Sequence, residues 1–191
     1  MVQDINQGAA PRAGSAAAIF NREATSGEVP LLDGAIVLRP EQAADAEFLA
    51  ALFRSSASIN LLPVDDAVKE SLLQMQLASQ AASYRSQHPD ARFDIIEQQG
   101  RPIGRLVVDS GCEIGCVVDF ALLPECRGQG LGSLIMTAVV AQFARLRRPV
   151  RCMVLAGNEA SLRMCSRAGF VPIDSTPPFV QLEWRPRDAD T

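Results

Sequence analysis

Apolar residues along this chain alternate between two spacings, and the spacings lay out its elements. Ile36-Val37-Leu38, closed by Arg39-Pro40, reads as a short strand. Beyond Pro40, Ala44, Phe48, Ala51 and Leu52 recur at helical intervals. A second helix is predicted from Asp65 and Asp66, whose carboxylates suit a helix N-terminus, to the residue before Pro89, with Val68, Leu72, Met75, Ser79 and Ala82 as its inner stripe. Residues Arg92 to Glu97 and Ile103 to Asp109 flank the turn Gln98-Gln99-Gly100-Arg101-Pro102 and read as a β-hairpin. Next, Gly115 to Leu123 is apolar on both alternating sets except at Asp119, which predicts a central strand covered on both faces.

Pro124 ends that strand, and a glycine-bearing junction leads into a helix with Leu131, Leu134, Ile135, Ala138, Gln142 and Leu146 at helical spacing, closed before Pro149. Val150 to Leu155 is a further strand, Asn158 caps a helix running through Ala168 to the left-handed position Gly169, and Phe179 to Trp184 is the final strand. Early helices, antiparallel strands and then strand-helix-strand-helix-strand place the chain in the α+β or mixed α/β class.

Residues 1 to about 34 carry no sustained apolar period and are rich in Ala, Gly, Ser and Gln, so a mobile tail is expected there and one domain over 35–187. The chain has 191 residues, 48% of them hydrophobic and 21% charged, which suits a single core. No run approaches a membrane span and the start lacks a secretory layout, so a soluble, cytoplasmic protein with no membrane partner is expected. A net charge of −4 disfavours general nucleic-acid binding, and any anionic ligand must be gripped locally.

The place for such a grip is Arg127-Gly128-Gln129-Gly130-Leu131-Gly132, at a strand-to-helix turn. A helix N-terminus offers unpaired N–H groups and a partial positive charge, and glycines let a phosphate approach several amides at once. Taken alone, such a triplet is more often a plain tight turn than a ligand cradle. It is not a Walker A motif, since no GK[ST] follows, and it is not GxGxxG, since Ser133 follows Gly132. Hydride and phosphoryl transfer lose support accordingly. The single histidine, His88, excludes chemistry needing two imidazoles. The five cysteines, Cys112, Cys116, Cys126, Cys152 and Cys165, form no CxxC pair, so free thiols are expected and neither a metal site nor a disulfide framework is.

The run Val118 to Gly132, an apolar strand, Pro124, two residues and R-G-x-G-x-G, resembles the acetyl-CoA signature of the GNAT N-acetyltransferases. Asn158-Glu159-Ala160-Ser161-Leu162-Arg163-Met164-Cys165-Ser166-Arg167-Ala168-Gly169-Phe170 is similar to the family's second signature, and Leu38-Arg39-Pro40 through Phe48 to its opening, so the resemblance covers about 36–185. It implies a mostly antiparallel mixed sheet splayed between its fourth and fifth strands and flanked by helices. It also implies acetyl-CoA as co-substrate, with its diphosphate on Arg127, Gly128, Gln129, Gly130, Leu131, Gly132 and the adjoining Ser133. The backbone of Leu122 and Leu123 would bind the pantetheine arm, and Asn158 would meet it from the other side.

Acetyl transfer to an amine needs a proton acceptor, an oxyanion donor and an acid for the departing thiolate. Asp119 is the first candidate base and Glu113 the second. The Leu122 or Leu123 amide is the candidate donor. Cys165 stands where the family commonly has the tyrosine acid, so it is a candidate catalytic thiol or a packing residue, with Ser166 or water as substitutes. The only tyrosine, Tyr84, is placed on a distant helix. The readings that follow are N-acetyl transfer to a primary amine of a small molecule or peptide in a ternary complex, or a non-catalytic acyl-CoA-binding module. The Ser55 to Asp65 loop is the expected wall of the acceptor site, and the last strand, with Phe179, Val180, Leu182 and Trp184, offers a surface for a homodimer.

Overall fold

The computed structural model describes residues 27–31, 34–56, 65–111 and 113–186. Eight strands form one sheet: β1 (Val29–Leu31), β2 (Ile36–Pro40), β3 (Ala91–Gln98), β4 (Arg101–Asp109), β5 (Gly115–Leu122), β6 (Val150–Leu155), β7 (Val171–Thr176) and β8 (Phe179–Trp184). Their order is β1-β2-β3-β4-β5-β6-β8-β7, antiparallel except for the β5–β6 pair. Helices α1 (Ala46–Ser56), α2 (Asp66–Gln87), α3 (Leu131–Arg145) and α4 (Glu159–Arg167) complete it. The mixed, mostly antiparallel architecture is as the pattern predicts. Among the described residues, no helix is long and apolar enough to cross a membrane.

The sheet begins before the expected first strand. Val29 and Leu31 are buried and Pro30 exposed, so even three residues of alternation suffice to pair with Ile36–Leu38 in a segment read as tail. Most of that segment and Cys112 lie outside the described residues, as does most of the expected acceptor-site loop. β7 was also not foreseen: all six of its residues are exposed, so no buried face marks it, and it forms the sheet edge beyond β8. Of the final-strand residues named for a homodimer, Leu182 is buried, Val180 and Trp184 are half-buried against the core, and Phe179 is half-buried.

Cohesion comes from the face that carries α3. Ile135, Met136, Val139 and Phe143 of that helix, together with Leu106, Phe120, Leu122 and Val150 of the sheet, are almost wholly buried. Each such side chain contributes on the order of 1.5–3 kcal/mol by leaving water. Phe143 needs the missing side chain of Gly115: a Cβ there would lie 2.0 Å from its Cε1.

The opposite face carries α1 and α2 and is more polar. Arg39 binds Asp45 through both terminal nitrogens, at 2.8 and 2.7 Å, and Glu97 through Nε at 2.7 Å. Leu52 and Leu73 are the buried residues of α1 and α2. The inner stripe of α2 runs through Lys69, Leu73, Leu77, Ala81 and Tyr84, one to two positions on from the predicted one, and Val68 and Met75 are exposed. A helix that buries so little leaves a weak period to read.

Gly115→Ala is expected to lower stability by about 1–3 kcal/mol, because the new methyl overlaps an aromatic ring in a packed core. The urea midpoint should fall, and adding Phe143→Leu should recover part of the loss.

Candidate active site

The site is a gap in the sheet, and a β-bulge marks where it opens. Along the β4–β5 ladder Val108 pairs with Val117 and Val107 with Asp119, so Val118 is an extra residue. β5 pairs with β6 only over Gly115↔Val150, Cys116↔Arg151 and Val117↔Cys152. Past the bulge β5 continues to Leu122 bonded to β4 alone, while β6 continues to Leu155 paired with β8. An inserted residue interrupts a ladder and bends its strand. The parallel pair therefore splays toward its C-terminal ends. With β1 counted, the split lies between the fifth and sixth strands.

Backbone alternation decides which amide faces this gap. Leu123 N–H donates to Ile103 O at 2.8 Å, on the β4 side. In an antiparallel ladder the preceding residue turns its N–H and C=O the opposite way, so those of Leu122 face the gap. Its carbonyl accepts from Arg127 Nε at 2.9 Å. Of the two amides left open by the sequence, Leu123's is thus spent inside the sheet. Arg127 itself is half-buried, with its guanidinium held against β5 by the bond to Leu122 O.

The glycine loop leaves β5 through a 3₁₀ turn, Pro124–Cys126, and enters α3 with Gly128 and Gly130 at φ 79° and 80°. Side chains rarely adopt that region, so glycine is required at both. Gly130 is the N-cap of α3 and supplies no side-chain cap, and the first intrahelical bond is Leu134 N–H to Gly130 O at 3.1 Å. The amides of Leu131, Gly132 and Ser133 therefore stand at an uncapped helix start beside the gap. Gln129 donates from Nε2 to Glu125 O at 2.8 Å, bracing the loop. Across the gap, Asn158 follows β6 and caps α4, its Oδ1 accepting from Ser161 N–H at 3.0 Å.

Asp119 is buried, with 7% of its surface exposed. Paired opposite Val107, it lies on the sheet face of Arg105, whose Nη1 is 3.6 Å from Asp119 Oδ2. Burial pushes this carboxyl above its ordinary range, and the Arg105 charge works against that rise. The bulge also brings Cys116 round to the same face, since Cys116 pairs with Asp109. Here the structure adds a residue that sequence reading placed far away. Tyr84 of α2 sits over Arg105, 5.9 Å from guanidinium carbon to ring centroid. Its hydroxyl is held protonated by burial and by the charge of Asp119. Only the corrected α2 stripe could have pointed to it.

The other acid–base candidates are not brought together. Glu113 is exposed on the β4–β5 connection, at the closed end of the parallel pair. Cys165 is fully buried, its Sγ 3.8 Å from that of Cys152. Cys152 pairs with Val117 and hence Val108, the face opposite Asp119, so both thiols belong to the apolar core. The neighbouring thiol and burial push Cys152 far above the ordinary thiol range. Ser166 is exposed on α4. Among the described residues no cluster of three His, Cys, Asp or Glu could hold a metal ion.

A family model described as an acetyltransferase (GNAT) domain matches residues 35–171. The chain belongs to the GNAT acetyltransferase family. No curated protein matches the sequence. Solved structures share the fold. PaiA N-acetyltransferase of Thermoplasma acidophilum in complex with coenzyme A is 17% identical, over 78% of this chain and 98% of that one, with a TM-score of 0.59. An acetyltransferase of Thermus thermophilus is 19% identical over 78% and 96%, also with a TM-score of 0.59. RimL, a ribosomal L7/L12 alpha-N-protein acetyltransferase in complex with coenzyme A, is 16% identical over 86% and 100%, again at 0.59. This GNAT chain is accordingly an acyl-CoA-dependent acetyltransferase by family.

The placement of the thiols has a direct check. In the folded protein Cys152 and Cys165 should resist an aromatic disulfide reagent while the half-buried Cys116 and Cys126 react, and denaturant should release the former pair. Rapid native modification of Cys165, located by peptide mass spectrometry, would contradict its core position.

Proposed function

We propose that this GNAT chain transfers an acetyl group from acetyl-CoA to a primary amine by direct attack in a ternary complex, within one acetyltransferase domain spanning 35–187. The observation that carries the reading is the end of β5–β6 pairing at Val117, which leaves the Leu122 amide facing an opening that terminates on the uncapped start of α3. The residues suit coenzyme A. Glycines at Gly128 and Gly130 keep the loop backbone bare, the amides of Leu131, Gly132 and Ser133 offer donors to a diphosphate, and Arg127 adds positive charge at the gap mouth. Asn158 would meet the pantetheine arm from the β6 side with its side-chain amide, while its Oδ1 caps α4.

In this reading Asp119 takes up the ammonium proton, directly or through one water. A buried carboxyl whose affinity for protons is raised is a better acceptor than an exposed one. The Leu122 N–H stands ready for the oxygen that gains charge as the amine attacks, a backbone dipole that needs no reorganisation. With Cys165 sealed in the core and Ser166 turned outward, the departing thiolate draws its proton from water. The acceptor belongs on the α1–α2 side, since Asp119 faces there, and RimL, which shares the fold, acts on a protein α-amine. A second reading, a module that binds acyl-CoA without turning it over, is favoured by the absence of the signature tyrosine at Cys165.

Release of free thiol from acetyl-CoA across a panel of polyamines, amino acids and peptides with free α-amines separates the two readings. Turnover, with one acetyl group gained by one amine, supports transfer; tight binding of coenzyme A with no turnover on any amine supports the module. Asp119→Asn should lower kcat by about 10²–10⁴-fold with little change in coenzyme A affinity. The acid limb of the wild-type profile should lie above the ordinary Asp value of about 3.9, because the base works only when deprotonated and its carboxyl is shifted upward.

Gly130→Asp sets a carboxylate where the diphosphate should lie, and coenzyme A affinity should fall by about 100-fold or more, about 3 kcal/mol by calorimetry. Gly130→Ala carries the same backbone strain without the charge and should lose less. Equal losses would refute this placement of the diphosphate.

A further inference from the structure

Asp119 is the inner end of a line of alternating charges that crosses the α2 side of the sheet. Arg105 of β4, 4% exposed, lies 3.6 Å from Asp119 and 3.4 Å, Nε to Oε2, from Glu41. Glu41 is held in place by its own amide, which donates to Phe93 O at 2.9 Å, and by Arg85 of α2, 2.6 Å from its Oε1. The Arg105 guanidinium is also flanked by aromatic rings, 5.9 Å from the Tyr84 centroid and 5.6 Å from that of Phe93. We infer that Arg105 and Glu41 are positioning residues that set the protonation of Asp119: Arg105 holds the carboxylate ionised in a buried site, and Glu41 limits that hold by sharing the same guanidinium.

The geometry carries the division of labour. Glu41 Oε2 and Arg105 Nε are both shielded from solvent, and neither makes an aligned hydrogen bond even though they are an ion pair by distance. Arg105 is therefore not saturated by Glu41, and its charge acts on both carboxylates from a low-dielectric position between them. The rings of Tyr84 and Phe93 flank the guanidinium within cation–π range. Among the described residues, the ionisable groups around Asp119 are Arg105 on β4, Glu41 after β2, Tyr84 on α2 and, along β5, Cys116. Tyr84 stays neutral over the working range, whereas the charges of Arg105 and Glu41 act on Asp119 in opposite directions. For a base the result is a balance: burial raises the proton affinity of Asp119, Arg105 opposes that rise and Glu41 adds to it.

This inference rests on the reading of Asp119 as the base only for its catalytic consequence, so its test reads Asp119 itself. The full chain, labelled with carboxyl-¹³C aspartate, is titrated by NMR, with the Asp119 resonance identified by its loss in Asp119→Asn. Arg105→Gln should raise the Asp119 midpoint by at least about one pH unit, since an opposite charge within about 4–6 Å depresses a carboxyl by one to three units. Glu41→Gln should move it the opposite way, by about half a unit, since a like charge disfavours the ionised form. Arg105→Lys should restore most of the wild-type value. Opposite signs are what a merely structural role would not produce. If Arg105→Gln does not fold, Glu41→Gln and Arg105→Lys decide the matter, because the first must still fall and the second stay near wild type. No change or a rise in Glu41→Gln, or a fall or no change in folded Arg105→Gln, overturns the inference. The kcat/KM profile on any amine turned over is then compared. Midpoints that shift while the acid limb stays fixed would uphold the pair and remove Asp119 as base. A limb that follows the midpoints supports both.

Discussion

Beyond Val117, β5 has a hydrogen-bonding strand on one side only. The extra residue at Val118 throws the strand out of step, β6 is committed to β8, and among the described residues no other strand lies between them. A strand interior to a sheet but open along one edge holds backbone groups that need partners. Everything proposed for catalysis starts from that deficit: a main-chain amide at Leu122 that faces outward from β5, a carboxylate at Asp119 three residues earlier on the same strand, and the start of α3 directly downstream. The arrangement persists because the rest of the molecule is closed tightly on both sides of it, with β4 and most of β5 buried on both faces.

The glycine loop and the strand feeding it were legible because their constraints are local. Positive φ at Gly128 and Gly130 is a demand made on single residues, and the apolar run before Pro124 is a demand made on one strand. The burial of Asp119 could be read from its solitary charge. What was not legible depends on partners far along the chain. Tyr84 meets the surroundings of Asp119 only once α2 lies across β4, and the choice between the Leu122 and Leu123 amides needs the pairing of Leu123 with Ile103. β1 and β7 escaped because three residues, or six exposed ones, leave too weak an apolar signal. The α2 stripe was misplaced for the same reason, since a helix that buries only Leu73 has no strong period.

Cys165 shows why a motif position and a chemical role must be argued separately. It occupies the place of a family tyrosine, yet its thiol lies against Cys152 on the face away from Asp119. A thiol in that setting behaves as a small apolar group. The side chain that could report on Asp119 from an aromatic hydroxyl comes instead from another element and another face. Neighbourhood in space, rather than order along the chain, decides which groups share a proton equilibrium.

Cohesion and the proposed chemistry occupy opposite sides of one sheet. The face under α3 holds the apolar mass, whereas α1 and α2 contribute one buried residue each, Leu52 and Leu73, and rest on a bed of paired charges. Sequence drift in those two helices costs the molecule little of its foldedness. On the proposed reading, a lineage built this way can trade one acceptor for another by rewriting the lightly fastened side, while the glycine loop on the far wall is inherited unchanged.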